Sequence, residues 1–439
     1  MSVETRDSRR RFSRLLAGIL AFGCLGASPN SLRIARPEES ANPGSAADQL
    51  RRSTETVLAR VSAIRNLPAT GSVDVGLRSR NEIRRYVLAR MAEEYPPEEL
   101  DLDRRLLVKL ALIPESLDYR RTLVRLLTEQ VAGYYDPKAR TLHVADWVPV
   151  QEQLPVMAHE LAHALQDQHF DLDKLLEGVE GNEDTTQAHV AVVEGEGLGL
   201  MLEYVLEPAG MSFLDIPDIV QMQKDQMANA SQSYDVFRTV PAFFREALLF
   251  PYVQGARFLQ HYVRRHGWPG VDRLYADLPR STEQILHPEK YESPKDEPTH
   301  VEPPPLPAGL GGRWERIYRN VLGEFMFRLI LDQFLEADPA RGAAAGWDGD
   351  SVQLFEGAEG ELALWIRSVW DTEQDAAEFV EAYEDLIRLK YGPAGPREDP
   401  DGAPARRLWR TETDVLILER AGLRVDLLEA TLQGPSGHP

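Results

Sequence analysis

The chain is almost without cysteine. Cys24 is the only one among 439 residues, so no internal disulfide forms and stability must come from the core and from any ion the protein binds. Long apolar runs are also missing: the most hydrophobic stretch near the N-terminus, Leu15 to Leu25, is too short for a comfortable transmembrane helix. Positive charge is in deficit. With 49 Lys and Arg against 70 Asp and Glu, the net charge is −21, which argues against nucleic acid or an anionic membrane surface as partner. No internal repeat or long low-complexity tract is present. The remaining composition, 43% hydrophobic and 27% charged, is that of a globular protein long enough for two or three domains.

The first 27 residues read as an export signal. Arg9, Arg10 and Arg11 form a basic n-region, Leu15 to Leu25 an apolar h-region, and Gly26-Ala27-Ser28 a small-residue exit. Ser8 to Phe12 is similar to a twin-arginine signal. Ala21-Phe22-Gly23-Cys24 resembles a bacterial lipoprotein box, with alanine where leucine usually stands. The expectation is a periplasmic, envelope-anchored or secreted protein, with a membrane tether through lipidated Cys24 or plain cleavage after Ala27. Residues 28–50, rich in Ser, Pro, Asn and Ala, read as a flexible tether.

Beyond the tether the spacing is mostly helical. Apolar residues recur at three- and four-residue intervals over 51–64, 73–95, 98–112 and 117–131. Gly133 to Ala145 reads as a β-hairpin turning at Asp136-Pro137. Helices are expected at about 151–170, 183–206, 216–228, 233–266 (with breaks at Pro241 and Pro251), 271–275 and 314–337. Residues 293–307, holding six prolines, read as a loop. Strand-like alternation over 350–356, 361–369, 408–411 and 415–419, with a helix over 372–391, reads as a small C-terminal α+β module. The expected fold is α+β and predominantly helical, with a main domain over 51–342, the module over 343–439 and a frayed tail from Gly434.

Met157-Ala158-His159-Glu160-Leu161-Ala162-His163-Ala164-Leu165 carries His-Glu-x-x-His in an apolar, helix-forming run. Positions i and i+4 share one helix face, so His159 and His163 can direct ring nitrogens at one zinc ion about 2.0–2.1 Å away. Glu160 lies roughly 100° around the helix, poorly placed as a ligand but well placed to take a proton from water that the zinc polarises.

Such a site needs a third ligand and an open position. Glu194, in Val192-Val193-Glu194-Gly195-Glu196-Gly197, is one candidate, because a carboxylate in an apolar helix is costly unless paired or bound to a cation. Gly195, Gly197 and Gly199 would let that helix approach closely, and Glu196 points about 200° away from Glu194. The other candidate, His169, has metzincin spacing, but that pattern requires glycine where this chain has Gln166. If the helix continues, His169 lies about 240° beyond His163 and cannot reach the same ion. His189 and His143 are weaker candidates.

His159-Glu160-Leu161-Ala162-His163 with Glu194-Gly195 resembles the gluzincin branch of the zincin metallopeptidases. The segments 133–145, 159–172 and 279–291 together look like a poorly characterised family of secreted bacterial zinc proteases. The resemblance implies a zincin-like catalytic domain that hydrolyses peptide or protein substrates, with Zn2+ held by His159, His163 and Glu194 and with Glu160 as general base. It also implies that the strand Thr141–Ala145 acts as the sheet edge that receives an extended peptide. One departure is plain: the aspartate that thermolysin-like enzymes place four residues after the glutamate ligand is Leu198 here, leaving the support of the histidines unidentified. His287 is the nominee for stabilising the developing oxyanion, and Glu324 reads as a carboxylate in a buried ion pair. The competing class is a non-catalytic envelope scaffold or binding protein on a degenerate metallopeptidase fold, against which the intact Glu160 argues.

Overall fold

The computed structural model describes residues 21–22, 46–148, 150–176, 179–230, 234–305, 313–392, 397–398 and 406–431. The expected cleavage and lipidation sites, most of the tether and the C-terminal tail lie outside them. Among the described residues no helix is long and apolar enough to cross a membrane.

The chain is α+β and predominantly helical, as its spacing predicts. Helix α1 spans Ala46–Arg65, so it begins inside the stretch expected as tether. Next comes β2, Asp74–Arg78, and then α2, Arg80–Glu94, where the sequence predicts one continuous helix from 73. The break has a local cause. Ser79 accepts from Glu82 N while the Glu82 side chain accepts from Ser79 N, a capping box that starts the helix there. The preceding residues instead pair in parallel with β4. Helices α3, Pro97–Lys109, and α4, Tyr119–Gln130, follow. The expected hairpin is β3, Val131–Asp136, and β4, Thr141–Ala145. Ala21–Phe22, β1, pairs antiparallel with β3, giving the order β1-β3-β4-β2. The expectation that β4 offers a free edge is therefore wrong: β3 and β2 flank it on both sides.

Helix α5, Val150–Phe170, carries the His-Glu-x-x-His run, and α6, Glu183–Leu206, faces it. After α7, Ile219–Ala230, comes α8, Ala242–His266, which begins after Pro241 but continues through Pro251 instead of breaking there. Helices α6 and α8 pack backbone to backbone. A Cβ on Gly255 would stand 1.9 Å from Ala191 O, so only glycine permits that approach.

The C-terminal part is a seven-stranded antiparallel sheet in the order β5-β6-β7-β11-β10-β9-β8. Its strands are Trp314–Asn320, Trp347–Gly357, Leu362–Trp370, Arg397–Glu398, Arg406–Arg410, Asp414–Ala421 and Arg424–Thr431, numbered β5 to β11 along the chain. Between β5 and β6 lies α9, Gly323–Asp332, and between β7 and β8 lies α10, Glu373–Tyr391. Residues 314–320, expected as the start of a helix, instead pair along β6, so the sheet begins ahead of the boundary expected at 343.

Two apolar clusters fix the site. One, including Val57, Val61, Leu142, Val144, Leu161, Leu165 and Leu200, locks α1 and the small sheet onto α5. The other runs from α2 through α6 and α8 into the C-terminal sheet.

Candidate metal centre

One turn of α5 and the middle of α6 supply three converging donors. His159 Nε2 lies 3.0 Å from His163 Nε2 and 3.2 Å from Glu194 Oε2, and His163 Nε2 lies 3.4 Å from the same oxygen. Three ligands of one tetrahedral ion at about 2.0–2.1 Å stand roughly 3.3 Å from one another. The residues fit the group: His159, His163 and Glu194 can together hold a metal ion. All three are buried, at 4%, 6% and 1% exposure, and a carboxylate at that depth needs a cationic partner. Among the described residues no arginine pairs with Glu194; the two imidazoles face it instead. Burial raises the Glu194 carboxyl, but the charges and hydrogen bonds of His163 and His159 outweigh it and hold the group below its ordinary value. For His163 burial acts downward, and Glu194 overcomes it, pushing the imidazole up to about 9.

Close approach between the two helices depends on Gly197. A Cβ there would meet His159 Cε1 at 2.7 Å, so its absence leaves the space that the ring fills. Gly195, expected to serve the same contact, instead faces Gly255 on α8.

Glu160 is positioned by the small sheet. Its Oε2 accepts from Tyr135 N at 2.8 Å, while Oε1 is buried with no hydrogen-bond partner among the described residues. Burial raises the Glu160 carboxyl above its usual range, against the pull of His159 and His163. A carboxylate pinned through one oxygen, with the other free beside a ligand pair, is equipped to accept a proton.

The groups that support His163 are Gln166, one turn further along α5, and Glu196 on α6. His163 Nδ1 lies 2.7 Å from Gln166 Oε1. Gln166 Nε2 donates to Val193 O at 3.0 Å and to Glu196 Oε2 at 2.9 Å. Glu196 also accepts from Tyr275 Oη at 2.5 Å and from Arg65 Nε in a short contact. The sequence signal was available: Gln166 occupies the metzincin glycine position, and Glu196 is a second carboxylate in the same apolar helix.

The other nominated residues lie apart from the donors. Helix α5 runs straight through Gln166, and His169 Nε2 takes its hydrogen bond at Pro68 O, 2.8 Å away. His143 lies on β4 against the Tyr134 ring. His287 Nε2 pairs with Glu324 Oε1 at 2.9 Å, so the buried Glu324 has a half-buried histidine as its partner. His287 is not one of the group that could hold a metal ion.

A second acidic group, Glu283, Asp296 and Asp371, also has metal-like spacing. Its centre is filled by the chain's own cation. Lys290 Nζ contacts Glu283 at 2.5 Å, Asp296 at 3.1 Å and, in a short contact, Asp371.

Residues 313–433 match a family described as a domain of unknown function (DUF8575). That span begins with the first strand of the seven-stranded sheet and leaves the candidate metal centre outside it. No curated protein matches the chain. Among solved structures, a crystal structure from Chloroflexus aurantiacus, presented as a candidate hydrolase with a novel fold, is similar at 17% identity and a TM-score of 0.35. The match covers 57% of this chain and 91% of that one, and a likeness of that degree carries no argument about this chain's activity.

Proposed function

We propose that the chain is a zinc-dependent metallopeptidase. The observation that carries this reading is the convergence of His159 Nε2, His163 Nε2 and Glu194 Oε2 within 3.4 Å, beside a glutamate with one pinned and one free oxygen. Zinc held by those three side chains would supply Lewis-acid chemistry, polarising a substrate carbonyl and bringing the pKa of a water to about 7. Glu160 Oε1 accepts the proton of the attacking water and later delivers it to the leaving amine. Tyr135 N–H keeps the carboxylate in one orientation through both transfers. Gln166 holds the His163 ring from behind. A purely structural zinc site would have no use for Glu160, which favours an enzyme over a scaffold. The basic leader and Cys24 support export and a lipid tether.

The test is cleavage-site profiling of the purified chain on a peptide library, with zinc content measured on the same sample. The expected result is about one zinc per chain and chelator-sensitive cleavage that Glu160→Gln abolishes. Zinc-loaded protein that cleaves no peptide would overturn the peptidase reading, and protein that takes up no zinc would overturn the metal centre itself.

A further inference from the structure

The orientation of the Gln166 amide is dictated by its surroundings. Its Nε2 end faces a backbone carbonyl, Val193 O, and a carboxylate, Glu196. Both are acceptors, so that end must be the NH2 group. The opposite end is then an oxygen, which accepts from His163 Nδ1 at 2.7 Å. His163 therefore carries a proton on Nδ1 and aims Nε2 at the donor cluster, the arrangement a metal-ligating imidazole needs.

Glu196 meets the amide with Oε2 and Arg65 with Oε1. Its buried charge is met by Arg65, which is fully buried at 0% exposure on α1. Arg65 in turn donates Nη1 to Trp268 O at 3.0 Å and Nη2 to Asp272 Oδ1 at 2.7 Å, so its guanidinium is fixed on three sides.

Resting on the metal-centre reading above, we infer that Arg65, Glu196 and Gln166 form a positioning relay that sets the tautomer and ring plane of His163 from outside the ligand set. An ion pair kept only to join α1 to α6 would be complete with Arg65 and Glu196. Gln166 gives that pair a second task, because it touches both the carboxylate and the ligand ring. Without Arg65, Glu196 would lose the guanidinium that fixes its Oε1, and Oε2 could swing away from the amide. The amide could then turn its NH2 group toward Nδ1, moving the ring proton to Nε2 and away from the productive tautomer. Arg65 thus lets helix α1 influence a metal ligand through Glu196 and Gln166.

The test uses the full chain and competition for zinc against a chromophoric chelator, with NMR of the His163 ring nitrogens in the zinc-loaded protein. Gln166→Met has nearly the same shape but cannot accept from Nδ1, and it leaves Glu196 with Arg65 and Tyr275. Its zinc affinity should fall about 10–100-fold, with a changed Nδ1 signature and little change in the thermal midpoint of the metal-free protein. Arg65→Met should weaken zinc binding over the same range, with Arg65→Lys recovering part of the loss. If Arg65→Met does not fold, Gln166→Met and Arg65→Lys decide the matter. Wild-type zinc affinity in Gln166→Met together with an unchanged Nδ1 signature would overturn the relay alone. Wild-type protein that binds no zinc would overturn the relay together with the metal centre.

Discussion

Tyr135 on β3 donates its backbone N–H to Glu160 Oε2 at 2.8 Å, so the strand beside α5 orients the carboxylate next to His159 in the chain. Glu160→Gln keeps an oxygen for that bond and leaves both histidines in place. Zinc content should be unchanged, while the cleavage rate should fall by about 10²–10⁴-fold, the usual contribution of a general acid–base group. Rates measured alongside metal analysis on the same preparations check this. Undiminished cleavage by the zinc-loaded variant would exclude Glu160 as the base.

Ligand substitutions should separate the two candidates for the third ligand, Glu194 and His169. His159→Ala and Glu194→Ala should each lose most of the bound zinc, while His169→Ala, whose ring is engaged by Pro68 O, should retain it. Because bound metal stabilises the native state by linkage, about 2.7 kcal/mol at a hundredfold excess over Kd, the first two variants should also lose the zinc-dependent rise in thermal midpoint. Metal content and melting curves with and without zinc provide the measurement. Zinc loss confined to His169→Ala would reverse the ligand assignment.

Gly197→Ala and Gly255→Ala should fail in different ways. The first places a methyl 2.7 Å from His159 Cε1, so the ligand ring must move and zinc affinity should drop. The second drives a methyl into the backbone at Ala191 O, forcing α6 and α8 apart at a cost of roughly 1–3 kcal/mol or more. Chelator competition and denaturant unfolding on both variants distinguish a loss at the ligand from a loss in the helix pair.

Asp350, outside the candidate metal centre, should give stability a pH dependence. It is buried and accepts from Leu322 N, Gly323 N and Trp347 Nε1 at 2.9–3.1 Å. Burial pushes its carboxyl up to about 6, against those donors. The folded state therefore binds the proton more tightly than the unfolded chain does. The resulting contribution is complete below the ordinary value of 3.8 and is lost as pH rises through about 6. Its size is at most roughly 3 kcal/mol. Asp350→Asn cannot titrate, so its stability should fall less steeply across that window. Denaturant melts of both proteins over a pH series check this, and parallel slopes would refute it.

Elements governed by local signals were legible in the sequence. Helix α6 occupies Glu183–Leu206 as its spacing predicts, begun by an Asn182 cap, and the hairpin turns at Asp136-Pro137. The ligand pair and Glu194 were legible because their spacing on two helices already limits where the side chains can point. Elements governed by distant partners were not. Strand β2 depends on pairing with β4, and β5 on pairing with β6, so helical spacing misassigned both. The Arg65–Glu196 pair spans 131 residues, and nothing near Arg65 distinguishes it from the other arginines. Their place in an apolar helix marks Glu194 and Glu196 as costly buried carboxylates, and the sequence already matches Glu194 to the histidines, but only the fold reveals that Glu196 faces a guanidinium.

The lysine held by Glu283, Asp296 and Asp371 bears on stoichiometry. A divalent ion could enter that cage only by displacing an ammonium already tethered to the chain at high effective concentration. Dialysed protein should therefore return one equivalent of zinc, and Lys290→Met, which vacates the cage, is the variant in which a second, weaker equivalent should emerge. A wild-type titration should saturate in a single step, so a two-step isotherm would locate competition at Lys290 before any revision of the histidine site.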